Sequence, residues 1–243
     1  MQHSNFYTFR FIGTITIVAS LLLSLAATQL KDRQEFNIEV DKKKNILKCI
    51  GLDVSVLSAI EIQSEYKKRI KDIVLLPSGE KSEGISSDDL IITENKSTGQ
   101  MKYYADNSEY LPAYLASDPE AFIIPISGKG LWSTLYGYLA LENDLNTVKG
   151  ITFYKHGETP GLGGEVEKEW FQGNFVGKKI YNDLGDLVSI KVVKGKAREV
   201  LSGNALNHSV DGISGATVTS RGVTTFLKDC LMRYQSYIER PQN

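Results

Sequence analysis

The stretch from Phe11 to Leu30, FIGTITIVASLLLSLAATQL, runs for 20 residues without a charge, between Arg10 and Lys31-Asp32-Arg33. As a helix rising about 1.5 Å per residue it reaches roughly 30 Å, enough to cross the hydrocarbon core of a bilayer. Small residues near its end (Ser24, Ala26, Ala27) also suit a cleaved signal peptide. The run exceeds the ~7 to 15 residues of a signal core, so a retained transmembrane helix over 11–30, preceded by a short tail over 1–10, is the better reading. Its orientation stays open. Lys31, Arg33 and Lys42-Lys43-Lys44 outnumber Arg10, but a large domain following a span crosses largely regardless of charge.

Beyond the span, residues 35–52 and 56–76 place apolar side chains three and four apart, as amphipathic helices do. Pro77-Ser78-Gly79 breaks that pattern, and 80–100 reads as a surface excursion carrying one edge strand, DLIITE. The pattern then turns strand-like in MKYYAD, EAFIIPIS, TLYGYLALE, TVKGITFYKH and LVSIKVVKG. GGEVEKEWFQGNF suggests a short helix, and a longer one is expected from about Thr219 to Ile238, before Pro241. The fold class is α+β: a single N-terminal transmembrane helix, then one soluble domain over 31–243 of mostly antiparallel sheet with flanking helices. Within it, 31–76 is a helical lead-in and 101–240 the core.

With 28 basic against 29 acidic residues the chain lacks the positive excess that nucleic-acid binding requires. Two cysteines, Cys49 and Cys230, have no CxxC or Cys/His spacing, which argues against a zinc site or iron–sulfur cluster. Both fall in helical patterns and read as buried thiols rather than a disulfide.

Chemistry concentrates in glycine-rich segments. SGKGLW (127–132) and HGETPGLGGE (156–165) can present backbone N–H groups to a flat ligand, or simply form tight turns. Neither has the spacing of a P-loop or of a dinucleotide-binding turn. DGISGATVTS (211–220) crowds four hydroxyls around two glycines. Read as a nucleophile elbow it fails, because Ala216 replaces the required glycine and no histidine follows Ser214. Read as the entrance to the last helix, it suits either an anion at the positive helix end or a plain Ser/Thr cap.

DGISGATVTS also resembles the D-x-x-[ST]-G-A-T motif of covalent flavoproteins, and the long run from Gly128 to Trp170 is similar to the C-subunit of the sodium-translocating NADH:quinone reductases. The resemblance implies flavin mononucleotide (FMN) joined by a phosphoester to Thr217, with Thr219 as the competing acceptor. It further implies cofactor contacts from Asp211, Ser214, Gly215 and Ala216, with Ser214, Thr219 and Ser220 shaping and capping the turn. Glu158, Thr159, Gly161, Leu162 and Gly163 would lie along the isoalloxazine, their N–H groups reaching ring heteroatoms and Leu162 covering its face. Gly130, Leu131 and Trp132 would form the other wall, and Lys194 would stabilise anionic reduced flavin. A separate flavin transferase would attach FMN from FAD, recognising the motif including Asp211. The implied activity is electron transfer within a multi-subunit complex of the bacterial inner membrane, soluble domain in the periplasm, with the NADH, quinone and sodium sites on partner subunits. The corresponding flavoprotein of Rnf ion-translocating complexes is the alternative, and a non-redox anchored surface protein lacking cofactor is the alternative of another class.

Overall fold

The structure is a computed structural model and describes residues 5–240. Residues 1–4 of the expected tail, and Pro241, lie outside the described residues. The chain divides into two compact units, 1–42 and 43–243. The first is helical throughout its described part, within α1 (Asn5–Cys49). Among the described residues α1 is the helix long and apolar enough to cross a membrane, and no residue of its apolar window is buried. The helix begins before the uncharged run and continues well past it.

In the second unit, the last turns of α1 bury Ile46, Leu47 and Cys49. After α2 (Ala59–Arg69), opened by the reciprocal capping box of Ser58 and Glu61, the chain turns directly into strand β1 (Ile70–Leu75). The expected helix over 56–76 is therefore corrected. IKDIVL pairs antiparallel with a neighbouring strand along its whole length, and this long-range ladder overrides a local pattern that also matched a helix.

The sheet follows in β2 (Ile91–Glu94), β3 (Met101–Ala105), β4 (Ser108–Ser117), β5 (Glu120–Lys129), β6 (Thr134–Leu141) and β7 (Val148–Lys155). These strands lie in sequence order, all antiparallel, with β1 added against β4. β2 is the edge strand expected from DLIITE. Sequence reading missed β4, SEYLPAYLAS, which holds no β-branched residue and carries Pro112 in its middle. The strand tolerates it because pairing with β3 ends at Tyr110 and pairing with β5 starts at Tyr114, while the Val74 carbonyl opposite is taken by the Ser82 N–H, so no ladder partner needs the missing donor. The Pro112 carbonyl accepts a 2.6 Å hydrogen bond from the buried Tyr234 hydroxyl.

A 3₁₀ turn (Gly163–Glu167) and the one-turn α3 (Glu169–Gly173) replace the single short helix expected there. LVSIKVVKG contributes only β8 (Lys191–Val192), followed by α4 (Ala197–Val200) and β9 (Ser209–Val210), which pairs parallel with β8. The chain closes with α5 (Thr217–Ile238). Val223, Phe226, Leu227, Cys230, Leu231 and Tyr234 form its buried stripe and join Ile124, Ile126 and Leu139 of the sheet in one core. Both cysteines are free and buried. Burial pushes the Cys230 thiol up to about 11, as expected of a structural rather than a reactive thiol.

Candidate functional site

The turn 211–216 feeds the chain into α5. Gly215 holds φ +73°, and a Cβ there would lie 2.7 Å from the Leu162 side chain, so this turn and the 158–163 loop meet closely. Ala216 is the N-cap and makes no side-chain hydrogen bond, although Ser, Thr, Asp or Asn is the stabilising choice at that position. The expected hydroxyl cap is therefore absent. Ser214 is exposed, Thr219 gives its hydroxyl to Glu158, and the buried Ser220 hydroxyl has no hydrogen-bond partner. Among the described residues, helix α5 thus opens without a side-chain cap on its first backbone N–H groups.

Beside this end lies a cavity of about 1070 Å³, at the upper limit of ordinary small-molecule sites. Thr217, Ser220, Arg221 and Thr224, spaced at 0, 3, 4 and 7 along α5, line it together with Lys191 to Lys196, Val200, Leu201 and Gly212 to Gly215. Four of these residues are cationic: Lys191, Lys194, Lys196 and Arg221. No acidic residue lines it among the described residues. In a chain of net charge -1 that local excess favours an anionic ligand, and the uncapped helix end points the same way. A flavin phosphate fits both features, and the apolar stretch formed by Val192, Val193, Val200, Leu201 and Ile213 fits a flat ring system.

Thr217 and Thr219 have opposite fates. Thr217 is exposed and lines the cavity, whereas Thr219 is 1% exposed and donates its hydroxyl to Glu158 Oε2 at 2.7 Å. Two positions along a helix is a turn of roughly 200°, so one faces the cavity and the other the core.

Glu158 organises the remaining expected residues. Its carboxylate, 5% exposed, accepts the N–H groups of Leu131 (3.1 Å), Trp132 (2.9 Å) and Ser133 (3.0 Å) and the hydroxyls of Ser133 and Thr219. A Cβ at Gly130 or Gly163 would fall 2.7 Å or 2.6 Å from a Glu158 oxygen, so these glycines make room for a protein carboxylate. Burial opposes ionisation of Glu158, but the Thr219 hydroxyl and the N–H groups of Trp132, Ser133 and Leu131 outweigh it and hold the carboxyl below its ordinary range.

The placement of the sequence-expected residues follows. Ser214, Gly215, Thr217 and Lys194 line the cavity. Leu162 touches the Gly215 turn. Gly130, Leu131 and Trp132 are tied to Glu158 rather than to the cavity lining, with Trp132 72% exposed. The N–H groups of Glu158 and Leu162, expected to reach a ligand, are engaged by His156 Nδ1 and the Thr159 carbonyl. Gly161, at φ +74°, shapes that turn. Asp211 accepts the Ala197 N–H at 2.7 Å and does not line the cavity. Sequence reasoning missed Lys191, Lys196, Arg221 and Thr224, and gave Ser220 a capping role where the structure sets it on the cavity lining. Counting the helical phase forward from Thr217 would have placed Ser220, Arg221 and Thr224 there.

The antiparallel sheet, the C-terminal helix and the cationic cavity at its start agree with the class that the sequence match gives: the model of the FMN-binding domain family matches residues 130–232. Over 225 residues the chain is 37% identical to the C-subunit of the Na(+)-translocating NADH-quinone reductase of Vibrio alginolyticus, covering 86% of this chain and 83% of that one. Over 240 residues it is 37% identical to the C-subunit of the Pseudomonas aeruginosa reductase, covering 93% and 91%. The chain belongs to the C-subunit family of Na(+)-translocating NADH-quinone reductases. The crystal structure of the C-subunit from Parabacteroides distasonis superposes with a TM-score of 0.71 at 33% identity, covering 88% of this chain and 98% of that one. That of Shewanella oneidensis NqrC gives 0.64 at 25% identity, covering 81% and 94%. These relatives bear the quinone-reductase name and favour it over the Rnf alternative.

Proposed function

We propose that the chain is a membrane-anchored electron-transfer subunit of a Na(+)-translocating NADH-quinone reductase, carrying one FMN joined through its phosphate to Thr217. The observation that carries this reading is the contrast between its threonines: Thr217 stands at the uncapped start of α5 on a cationic cavity, while Thr219 is buried and hydrogen-bonded to Glu158. Attachment condenses the Thr217 hydroxyl with the FMN phosphate of FAD, AMP leaving with the hydroxyl proton, and a separate flavin transferase carries it out. The resulting phosphodiester keeps one negative charge, suited to the N–H groups of α5 and to the four cations of the cavity.

When bound, FMN supplies the redox chemistry, and the protein supplies position and electrostatics. Lys194 and Arg221 would favour the anionic form of a reduced flavin, while Val200 and Leu201 add apolar lining to the cavity. α1 crosses the inner membrane and the flavin domain faces the periplasm. NADH oxidation, quinone reduction and sodium export belong to partner subunits. The test is coexpression of the full chain with a flavin transferase, beside Thr217→Val. A fluorescent denatured band is expected for the parent and none for the variant. Equal fluorescence in both would overturn the attachment site, and a dark parent would overturn the covalent flavin.

A further inference from the structure

The acid that opens the 211–217 motif stands outside the cavity and makes a specific contact elsewhere. Asp211 Oδ1 accepts the backbone N–H of Ala197 at 2.7 Å. Ala197 is buried and is the first residue of α4. This bond continues a ladder already running between the two segments. Lys191 and Val192 pair with Ser209 and Val210, the Val193 N–H donates to the Val210 carbonyl, and the Gly212 N–H donates to the Gly195 carbonyl. A Cβ at Gly212 would lie 2.0 Å from the Val193 carbonyl oxygen, so the two backbones touch. The segment held in this way, 191–197, contributes three of the four cavity cations, Lys191, Lys194 and Lys196. Beyond Gly212 the main-chain ladder ends, and the Asp211 side chain supplies the last rung, just where the chain bends into α4.

We propose that Asp211 is a positioning residue whose carboxylate oxygen, by holding the Ala197 N–H, fixes the cationic wall of the cavity against the motif that carries Thr217. This rests on the reading of Thr217 as the attachment point. It assigns Asp211 an acceptor's task within the folded domain, which needs an oxygen at this place and not a negative charge. Direct recognition of the carboxylate by the transferase would need the charge.

Three variants of the full chain separate the two roles. Asp211→Asn keeps the acceptor oxygen and removes the charge. Asp211→Ala removes both. Ala197→Pro removes the donor and leaves the charge, at a first helical position preceded by an extended Lys196 (φ -89°, ψ 129°), the backbone that a following proline requires. Each is coexpressed with a flavin transferase, and the flavin fluorescence of the denatured band is measured per mole of chain. Flavin loading of Asp211→Asn is expected within about twofold of the parent, while Asp211→Ala and Ala197→Pro fall roughly tenfold, the scale of one lost hydrogen bond whose buried partner is left unsatisfied.

Amide exchange at residue 197 is followed in the flavin-free Thr217→Val background. There the Ala197 N–H is expected to be protected with Asp or Asn at 211, and to exchange at least roughly tenfold faster with Ala. Loading lost equally in Asp211→Asn and Asp211→Ala but kept in Ala197→Pro overturns the proposal in favour of direct reading of the charge. An Ala197 amide equally protected in all Asp211 variants also overturns it. A parent that stays dark while the exchange pattern holds overturns the attachment reading and leaves the positioning contact standing.

Discussion

The two threonines of Thr217-Val218-Thr219 are chemically identical, and what separates them is the environment of each oxygen. Thr219→Val should leave flavin on Thr217, as peptide mass mapping would show. It should lower stability by about 1–3 kcal/mol in urea unfolding, because the buried Glu158 carboxylate loses a donor. Glu158→Ala should cost more, about 3–5 kcal/mol, since three backbone N–H groups and two hydroxyls lose their acceptor together. The pH dependence has a definite sign. The native pKa of Glu158 is lowered, so its contribution is complete above the unfolded value of about 4.3 and is lost as pH falls through the native value. Urea midpoints should therefore fall more steeply below about pH 4.3 in the parent than in Glu158→Gln. Glycine in SGKGLW and HGETPGLGGE was legible as a sign of close approach. That the approaching group is a carboxylate of the same chain was not, because Glu158 and Leu131 to Ser133 meet only when β6 and β7 pair.

Among the elements, α5 joins the core to the site. Its apolar stripe was readable from helical spacing, and the same period puts residues 217, 220, 221 and 224 on the cavity face. Its cap was misread. The sequence offers hydroxyls on both sides of the helix start, but the structure places Ala216 at the N-cap. An esterified phosphate at Thr217 would satisfy the open N–H groups. The flavin-loaded parent should accordingly unfold with a free energy higher by about 1–2 kcal/mol than the same chain produced without transferase. Equal melting curves for the two preparations would contradict this role for the phosphate. β1 and β4 went unread for a related reason. Strand pairing draws on partners tens of residues away, and both IKDIVL and a strand holding Pro112 look wrong when judged locally.

For the whole molecule, the structural boundary differs from the hydropathy boundary. The uncharged run ends at Leu30, but the second compact unit begins at Lys43, and Ile46 and Leu47 in the last turns of α1 are 0% exposed. A chain starting at Lys43 should fold as a water-soluble domain and accept flavin from the transferase. One starting at Gly51 should lose at least about 4 kcal/mol of stability, because it lacks the core side chains Ile46, Leu47, Cys49 and Ile50. Circular dichroism melts and in-gel flavin fluorescence of the two fragments check this directly.

By itself the sequence determined the long apolar helix, the antiparallel character of the domain, the buried stripe of α5 and the motif that ends at Thr217. Each is written in local order, through an uncharged run, a period of two, a period of three to four, or a short string of residue types. The tertiary structure alone decided which hydroxyl faces the cavity, which donor Asp211 serves and why two glycine clusters surround Glu158. It also decided how cations from 191–196 and α5 come to line one site. Those outcomes depend on contacts between segments far apart in the chain, whose partners exist only once the sheet has paired and α5 has packed against it.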